Sequence, residues 1–212
     1  MNFDDYKNDG WGLCQSGFKD LYKLICEHEK DNLSILEFGS GTSTRFFVDV
    51  ANSKVKNLVI ESYDNDIKWC FQNAEDYDFL DLKIRNLVEC DDKNFASMFL
   101  NKKYDRSLMN VRNIPPTTRQ KNCFYDIKEG DLSKEYDIVV LDGPNGNGRS
   151  FAFLHLFNIL KSGSYVFVDD YTHYPFVGTL KHFFNVELYS ENNASLSQQY
   201  VIYKILQKNG DS

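Results

Sequence analysis

Residues 35 to 47 read ILEFGSGTSTRFF, and no other stretch restricts the fold of this chain as strongly. Four strand-forming residues run into Gly39, Ser40 and Gly41, and Thr42, Ser43, Thr44 and an apolar-aromatic run follow. A strand that turns on glycine straight into a helix leaves free backbone N–H groups at the carboxyl edge of a sheet, where open α/β sheets bind ligands.

The rest of the chain repeats the strand and helix alternation. SGFKDLYKLICEHEK (16–30) spaces its apolar residues for a helix, SILEF (34–38) reads as a buried strand, and a helix is expected over 42–53. NLVIES (57–62) predicts a second strand, 65–75 a helix, and LKIRNLV (82–88) a third strand. Residues 101–135 break the rhythm with Pro115-Pro116 and many Asn, Lys and Arg, and read as an insertion or lid. YDIVVLDG (136–143) and SYVFVDD (164–170) predict two further strands around a helix between 149 and 160, with Gly163 placed as its cap. A helix at 176–184 precedes VELYS and YVIYKIL, an antiparallel pair across the turn-rich ENNASLSQ. The expected fold class is α/β: a doubly wound, Rossmann-like, mostly parallel seven-stranded sheet with helices on both faces and a C-terminal antiparallel strand pair. At 212 residues with 42% apolar side chains, 1–212 reads as one domain, with 1–32 as an N-terminal helical segment.

Charge and cysteine usage narrow the partners. With 24 Lys and Arg against 31 Asp and Glu, the net charge of −7 opposes a polyphosphate backbone, so no nucleic-acid partner is expected. The five cysteines are scattered without a Cys-x-x-Cys pair, as reduced thiols in a cytoplasmic setting would be. The N-terminus MNFDDYKNDGWG is acidic where a signal peptide is basic, and no apolar run nears the roughly 20 residues that span a bilayer, so no membrane partner is expected.

The glycine turn departs from the dinucleotide fingerprint, which needs a third glycine where this chain has Thr44. S-adenosylmethionine carries no phosphate and requires N–H groups and small side chains at the turn, an acid near its amino group and a second acid for the ribose hydroxyls. Glu37, the segment Gly39, Ser40, Gly41, Thr42, Ser43 and Thr44, and Glu61 offer these in order. LEFGSGTST followed by VIES and YDIVVLDG resembles the class I S-adenosylmethionine-dependent methyltransferases over about residues 33 to 206, with Ser43 where many members have glycine. The resemblance implies that Glu37 and the turn contact the methionine portion, that Glu61 takes the ribose, and that Asp91 or Glu89 lies near the adenine.

Two strand ends carry acids: Asp142 in VVLDGPNGNGR, and Asp169 and Asp170 in YVFVDDYTHY. Carboxylates at neighbouring strand ends repel unless a cation joins them, and hard oxygen ligands suit Mg²⁺ or Mn²⁺. The pattern is similar to metal-dependent O-methyltransferases, closer in VDDYTHYPFVGTLKHFF to the macrocin type acting on sugars than to the catechol type, and LDGPNGNGR is similar to a turn of methyltransferases of polysaccharide uronic acids. That likeness implies a sugar or glycan hydroxyl as acceptor and Asp142, Asp169 and Asp170 as metal ligands. Pro144 stands where the macrocin type has a second acid, so the base that takes the hydroxyl proton is His173 or Asp142 itself. Six basic residues within 101–121 (Lys102, Lys103, Arg106, Arg112, Arg119, Lys121), Arg149, and the aromatics Tyr171, Tyr174 and Phe176 are candidates for substrate contact, against the plainer readings of a solvated segment, an ion pair and core. The alternatives are methylation of a small phenol or a protein side chain, an NAD-binding oxidoreductase, and a non-catalytic scaffold.

Overall fold

The computed structural model describes residues 1–6, 12–71, 74–112, 121–132, 134–195 and 198–210. In chain order these form α1 (Gln15–Glu27), β1 (Asn32–Phe38), α2 (Thr42–Asn52), β2 (Asn57–Asp64), β3 (Leu80–Ile84), β4 (Leu87–Glu89), α3 (Asp92–Leu100), β5 (Asn110–Val111), β6 (Cys123–Tyr125), β7 (Ile138–Leu141), α4 (Phe151–Leu156), β8 (Tyr165–Asp169), α5 (Phe176–Phe183), β9 (Phe184–Asn193) and β10 (Gln199–Lys208).

Seven strands form one sheet in the order β3-β2-β1-β7-β8-β10-β9. The pairs of β1 with β2 and β7, of β2 with β3, and of β7 with β8 are parallel, and β10 runs antiparallel to both its neighbours. The order reverses at β1, between the glycine turn and the end of β7, which is where open sheets of this kind leave a ligand crevice. The expected mostly parallel seven-stranded sheet with its terminal antiparallel pair is the observed architecture.

Alternation along the strands sorts the two layers. Ile35, Ile60, Ile138, Val140 and Phe167 pack against α1 and α2 through Phe18, Leu21, Ile25, Phe46 and Phe47. Leu36, Phe38, Tyr63, Val139, Leu141, Val166 and Val168 face the other layer, which holds α4, α5 and a three-stranded antiparallel sheet, β5-β4-β6. The N-terminal segment therefore builds one layer of the core; Gly17 of α1 lets the helix approach the Phe167 ring to 3.1 Å from the place a Cβ would occupy.

Three local expectations are corrected. No α-helix forms over the described part of 65–75. Asp64 Oδ1 accepts the N–H groups of Asn65 and Asp66 at 2.7 Å, and Asp66 Oδ1 accepts that of Lys68 at 3.0 Å, so successive side-chain turns divert the backbone from a helix. The run 82–88 is two strands: the Arg85 N–H closes β3 on the carbonyl of Asp64, and β4 leaves to join the small sheet. The helix expected over 149–160 is a 3-10 turn, Asn147–Ser150, followed by the shorter α4; Gly163 donates to the carbonyl of Ile205 at the entry to β8 and caps no helix. The segment 101–135 contributes β5 and β6, and Cys123, Phe124 and Tyr125 are buried core; residues 113–120, with Pro115, Pro116 and Arg119, lie outside the described residues.

Candidate active site

The register of the sheet assembles the site. Phe38 of β1 pairs with Leu141 of β7, and Leu141 with Val168 of β8, so Gly39, Asp142 and Asp169 follow one another along the carboxyl edge. Glu37, Asp142 and Asp169 alternate in phase with Ile35, Val140 and Phe167, which puts all three on the α1 and α2 side of the sheet.

The glycine turn is tight for a stated reason. Gly39 has φ +101°, and a Cβ there would stand 2.6 Å from the backbone nitrogen of Gly143, so the turns after β1 and β7 touch through glycine. Glu37 is fully buried beneath this turn. Its Oε2 accepts hydroxyl protons from Thr44 and Ser62, both at 2.5 Å, while Oε1 is sealed from solvent without a partner. Burial raises the Glu37 carboxyl to about 7; the Ser43, Ser62 and Thr44 hydroxyls oppose that shift, with Ser43 outside hydrogen-bond geometry. Thr44 Oγ1 also accepts from the Gly41 N–H at 3.1 Å and lies 3.0 Å from Ser40 Oγ. The residue that breaks the dinucleotide fingerprint is the hub of the turn. By helix geometry the first N–H groups of α2, on Thr42 and Ser43, have no partner within the helix.

Glu61 does not end the second strand. β2 runs three residues further, and Glu61 alternates with Tyr63 toward the opposite layer. There it accepts from Tyr63 Oη at 2.6 Å, Tyr136 Oη at 2.8 Å and Lys83 Nζ at 2.7 Å, so both its oxygens are engaged away from the glycine turn. The acid at the end of β2 is Asp64, on the Glu37 side, whose Oδ2 accepts the Ser40 N–H at 2.9 Å. Sequence reading passed over it because VIES already supplied an acid; the continued alternation of NLVIESYD was the available signal. Asp91 is exposed and caps α3 through the Asn94 N–H at 2.7 Å, after a strand of the small sheet. Glu89 is paired with Arg112.

Asp142 and Asp169 come within hydrogen-bonding reach of each other. Burial raises both carboxyl groups, and the charge of Asp170 pushes in the same direction. The Arg149 guanidinium opposes both shifts. Asp170 sits in the left-handed region at φ 53° and its Oδ1 lies 3.7 Å from His173 Nδ1 at the rim, where His173 is 41% exposed. Among the described residues no group of three His, Cys, Asp or Glu side chains is gathered as a metal cage. The structure thus brings Asp142 and Asp169 together and turns Asp170 toward His173.

Two residues besides Asp64 were not foreseen. Tyr125, from the segment expected to be a lid, is buried, stacks on Phe38 at 6.0 Å, and its Oη comes 2.4 Å from where a Cβ of Gly143 would be. A segment without periodicity gave no warning of it. Gly12 lies beside Asp142, with Oδ2 at 3.3 Å from its Cβ position. The basic residues around 101–121 are largely engaged locally: Lys102 with the Asn209 carbonyl at 2.8 Å, Arg106 with Asp126 at 2.6 Å, Arg112 with Glu89, and Lys121 with Asp92 at 2.7 Å. Beside Asp64, whose register partner is Ile84, a cleft of about 620 Å³ is lined by the apolar side chains of Ile67, Phe71, Leu80 and Leu82 together with the acids Glu75 and Asp81. It occupies the place where a helix was expected. No helix among the described residues is long and apolar enough to cross a membrane.

No protein-family profile and no curated protein matches the chain. Among solved structures it is similar to a precorrin-6y C5,15-methyltransferase from Geobacter metallireducens GS-15, at 13% identity over 97% of each chain with a TM-score of 0.52. It is also similar to cmcI-D160 in its Mg-SAM form, at 14% identity over 94% of this chain and 72% of that one, with a TM-score of 0.50. At these identities the likeness defines the fold: the chain has the Rossmann-like fold of S-adenosylmethionine-dependent methyltransferases.

Proposed function

We propose that this chain is an S-adenosylmethionine-dependent O-methyltransferase that methylates a hydroxyl of a sugar or glycan, assisted by a divalent cation. The observation that carries the reading is the placement of one unpartnered, buried carboxylate oxygen, Glu37 Oε1, under the glycine turn, on the same sheet face as the Asp142 and Asp169 pair. An isolated buried acceptor is costly and suits a bound ammonium group.

The cofactor fits these residues, and when bound it supplies a sulfonium methyl group. The Gly39 to Thr44 turn and Glu37 would hold its amino acid portion, Asp64 rather than Glu61 its ribose hydroxyls, and the cleft beside Asp64, with its mixed apolar and acidic lining, its flat base. Asp142 and Asp169, with Asp170 one residue further, offer the hard oxygen donors a Mg²⁺ or Mn²⁺ ion prefers, and such an ion would make an alcohol more acidic. In the transfer, the acceptor oxygen displaces the thioether from the methyl carbon, so one C–O bond forms as one C–S bond breaks. The hydroxyl proton passes to an Asp142 oxygen, with His173 at the rim as the outer acceptor. Tyr171 and Tyr174, half-buried directly after Asp170, are the surfaces a sugar ring would meet. The five free cysteines support a reducing, cytoplasmic setting, and the net charge of −7 disfavours nucleic acid.

Calorimetry with S-adenosylmethionine against NAD tests the cofactor, and methyl transfer to a glycan panel with and without Mn²⁺ tests the rest. Tight NAD binding with indifference to S-adenosylmethionine would end the reading.

A further inference from the structure

Arg149 is 5% exposed, a guanidinium held inside the protein near the end of the turn that leads into α4. Its Nε donates to the carbonyl of Pro144 at 3.1 Å, and its Nη1 to the carbonyl of Asp169 at 3.1 Å. Its third neighbour is the Phe176 ring, 5.6 Å below the guanidinium carbon. One side chain therefore ties the segment after β7, which carries Asp142, to the end of β8, which carries Asp169.

We propose that Arg149 is a positioning residue for methyl transfer, locking the ends of β7 and β8 together so that Asp142 and Asp169 meet the acceptor hydroxyl in a fixed geometry. The inference rests on the methyl-transfer reading above. Two features favour this role over simple packing. A buried guanidinium is expensive unless its charge is compensated, and the charges facing it are the two aspartates. The planar fork also matters, because two donors pointing along fixed directions bridge two carbonyls, which a lysine ammonium on a flexible stem does not reproduce.

The test uses the full chain and compares the wild type with Arg149→Lys, which keeps the charge and loses the fork. Melting temperature, S-adenosylmethionine affinity, and acceptor KM and kcat are measured on each. The expected result is a folded R149K protein with cofactor affinity within about twofold and acceptor KM within about threefold of wild type, but with kcat lowered about 10²-fold, the scale of a misplaced reacting group. An R149K kcat within threefold of wild type, per mole of folded protein, overturns the role. Should R149K fail to fold, Arg149→Met fills much of the same space without a buried charge and removes both hydrogen bonds. A several-fold loss of kcat at unchanged cofactor affinity then supports the role, and unchanged kcat overturns it. If the wild type itself does not bind S-adenosylmethionine, the methyl-transfer reading fails and Arg149 loses its role with it; if the wild type turns over and the variants do so equally, only the role of Arg149 falls.

Discussion

Thr44 donates its hydroxyl proton to Glu37 at 2.5 Å, across the turn that separates the first strand from the helix it feeds. The same hydroxyl oxygen receives the Gly41 N–H, so one threonine links the buried acid to the backbone that would cradle a ligand. Thr44→Val keeps the shape and removes both links. It is expected to cost about 2 kcal/mol, the scale for stranding buried polar partners, and to weaken S-adenosylmethionine binding at least tenfold. Urea unfolding and calorimetry on the variant check both numbers.

Glu37 sets a pH dependence of definite sign. Its ordinary value is 4.5 and burial lifts it to about 7, so between these limits the folded state holds a proton that the unfolded state has released. Stability from this group therefore falls as pH rises through that window, by on the order of 3 kcal/mol at most. Glu37→Gln should abolish the decline: the difference in urea midpoint between variant and wild type should grow from pH 5 to pH 7.5. A constant difference would contradict it.

His155 pulls the other way. The residue is half-buried, its Nε2 is sealed without a partner, and its ring lies 4.2 Å from Tyr104, with burial lowering its value from 6.5 to about 4. The folded state keeps it neutral where the unfolded state would be protonated, so its contribution is complete above about pH 6.5 and is lost as pH falls toward 4. His155→Phe should remove on the order of 2 kcal/mol of acid destabilisation, read as a higher melting temperature than wild type at pH 5 and a smaller difference at pH 7.5.

Gly148 admits no side chain. A Cβ there would stand 1.8 Å from the carbonyl oxygen of Cys123 and 2.2 Å from its nitrogen, both backbone atoms of β6. Gly148→Ala must push the small sheet off the turn before α4, at a cost of about 3 kcal/mol, the upper end for overpacking. Thermal unfolding measures it, and a loss below 0.5 kcal/mol would be incompatible with the packing described.

The elements that were legible from the sequence are those whose apolar residues keep one period and whose ends are marked by glycine or acid: β1, α2, β7, β8 and the terminal pair. The helix expected after β2 failed for a local reason, since Asp64 and Asp66 capture the N–H groups that a helix would need. Reading 82–88 as one strand failed because the lone Asn86 is a weak turn signal, and the partners of β4 are β5 and β6, about twenty and nearly forty residues away in a stretch without periodicity. At the site, the placement of Glu37, Asp142 and Asp169 at the carboxyl edge was legible because strand ends announce themselves. Glu61 reads as the end of the strand because it is an acid at a plausible distance from Gly41, and alternation along β2, which runs on to Asp64, puts the two acids on opposite faces. Tyr125 and the bridge made by Arg149 depend on contacts between distant segments and leave no pattern in sequence.

The antiparallel β10 lies between β8 and β9, inside the sheet, yet it spans residues 199–208. On a ribosome, where chains emerge at about 5–20 residues per second, β8 and β9 must wait with open flanks until that strand appears. Stalled or prematurely ended synthesis before residue 199 would therefore release a product with two unpaired strand borders, a ready substrate for chaperones and proteases.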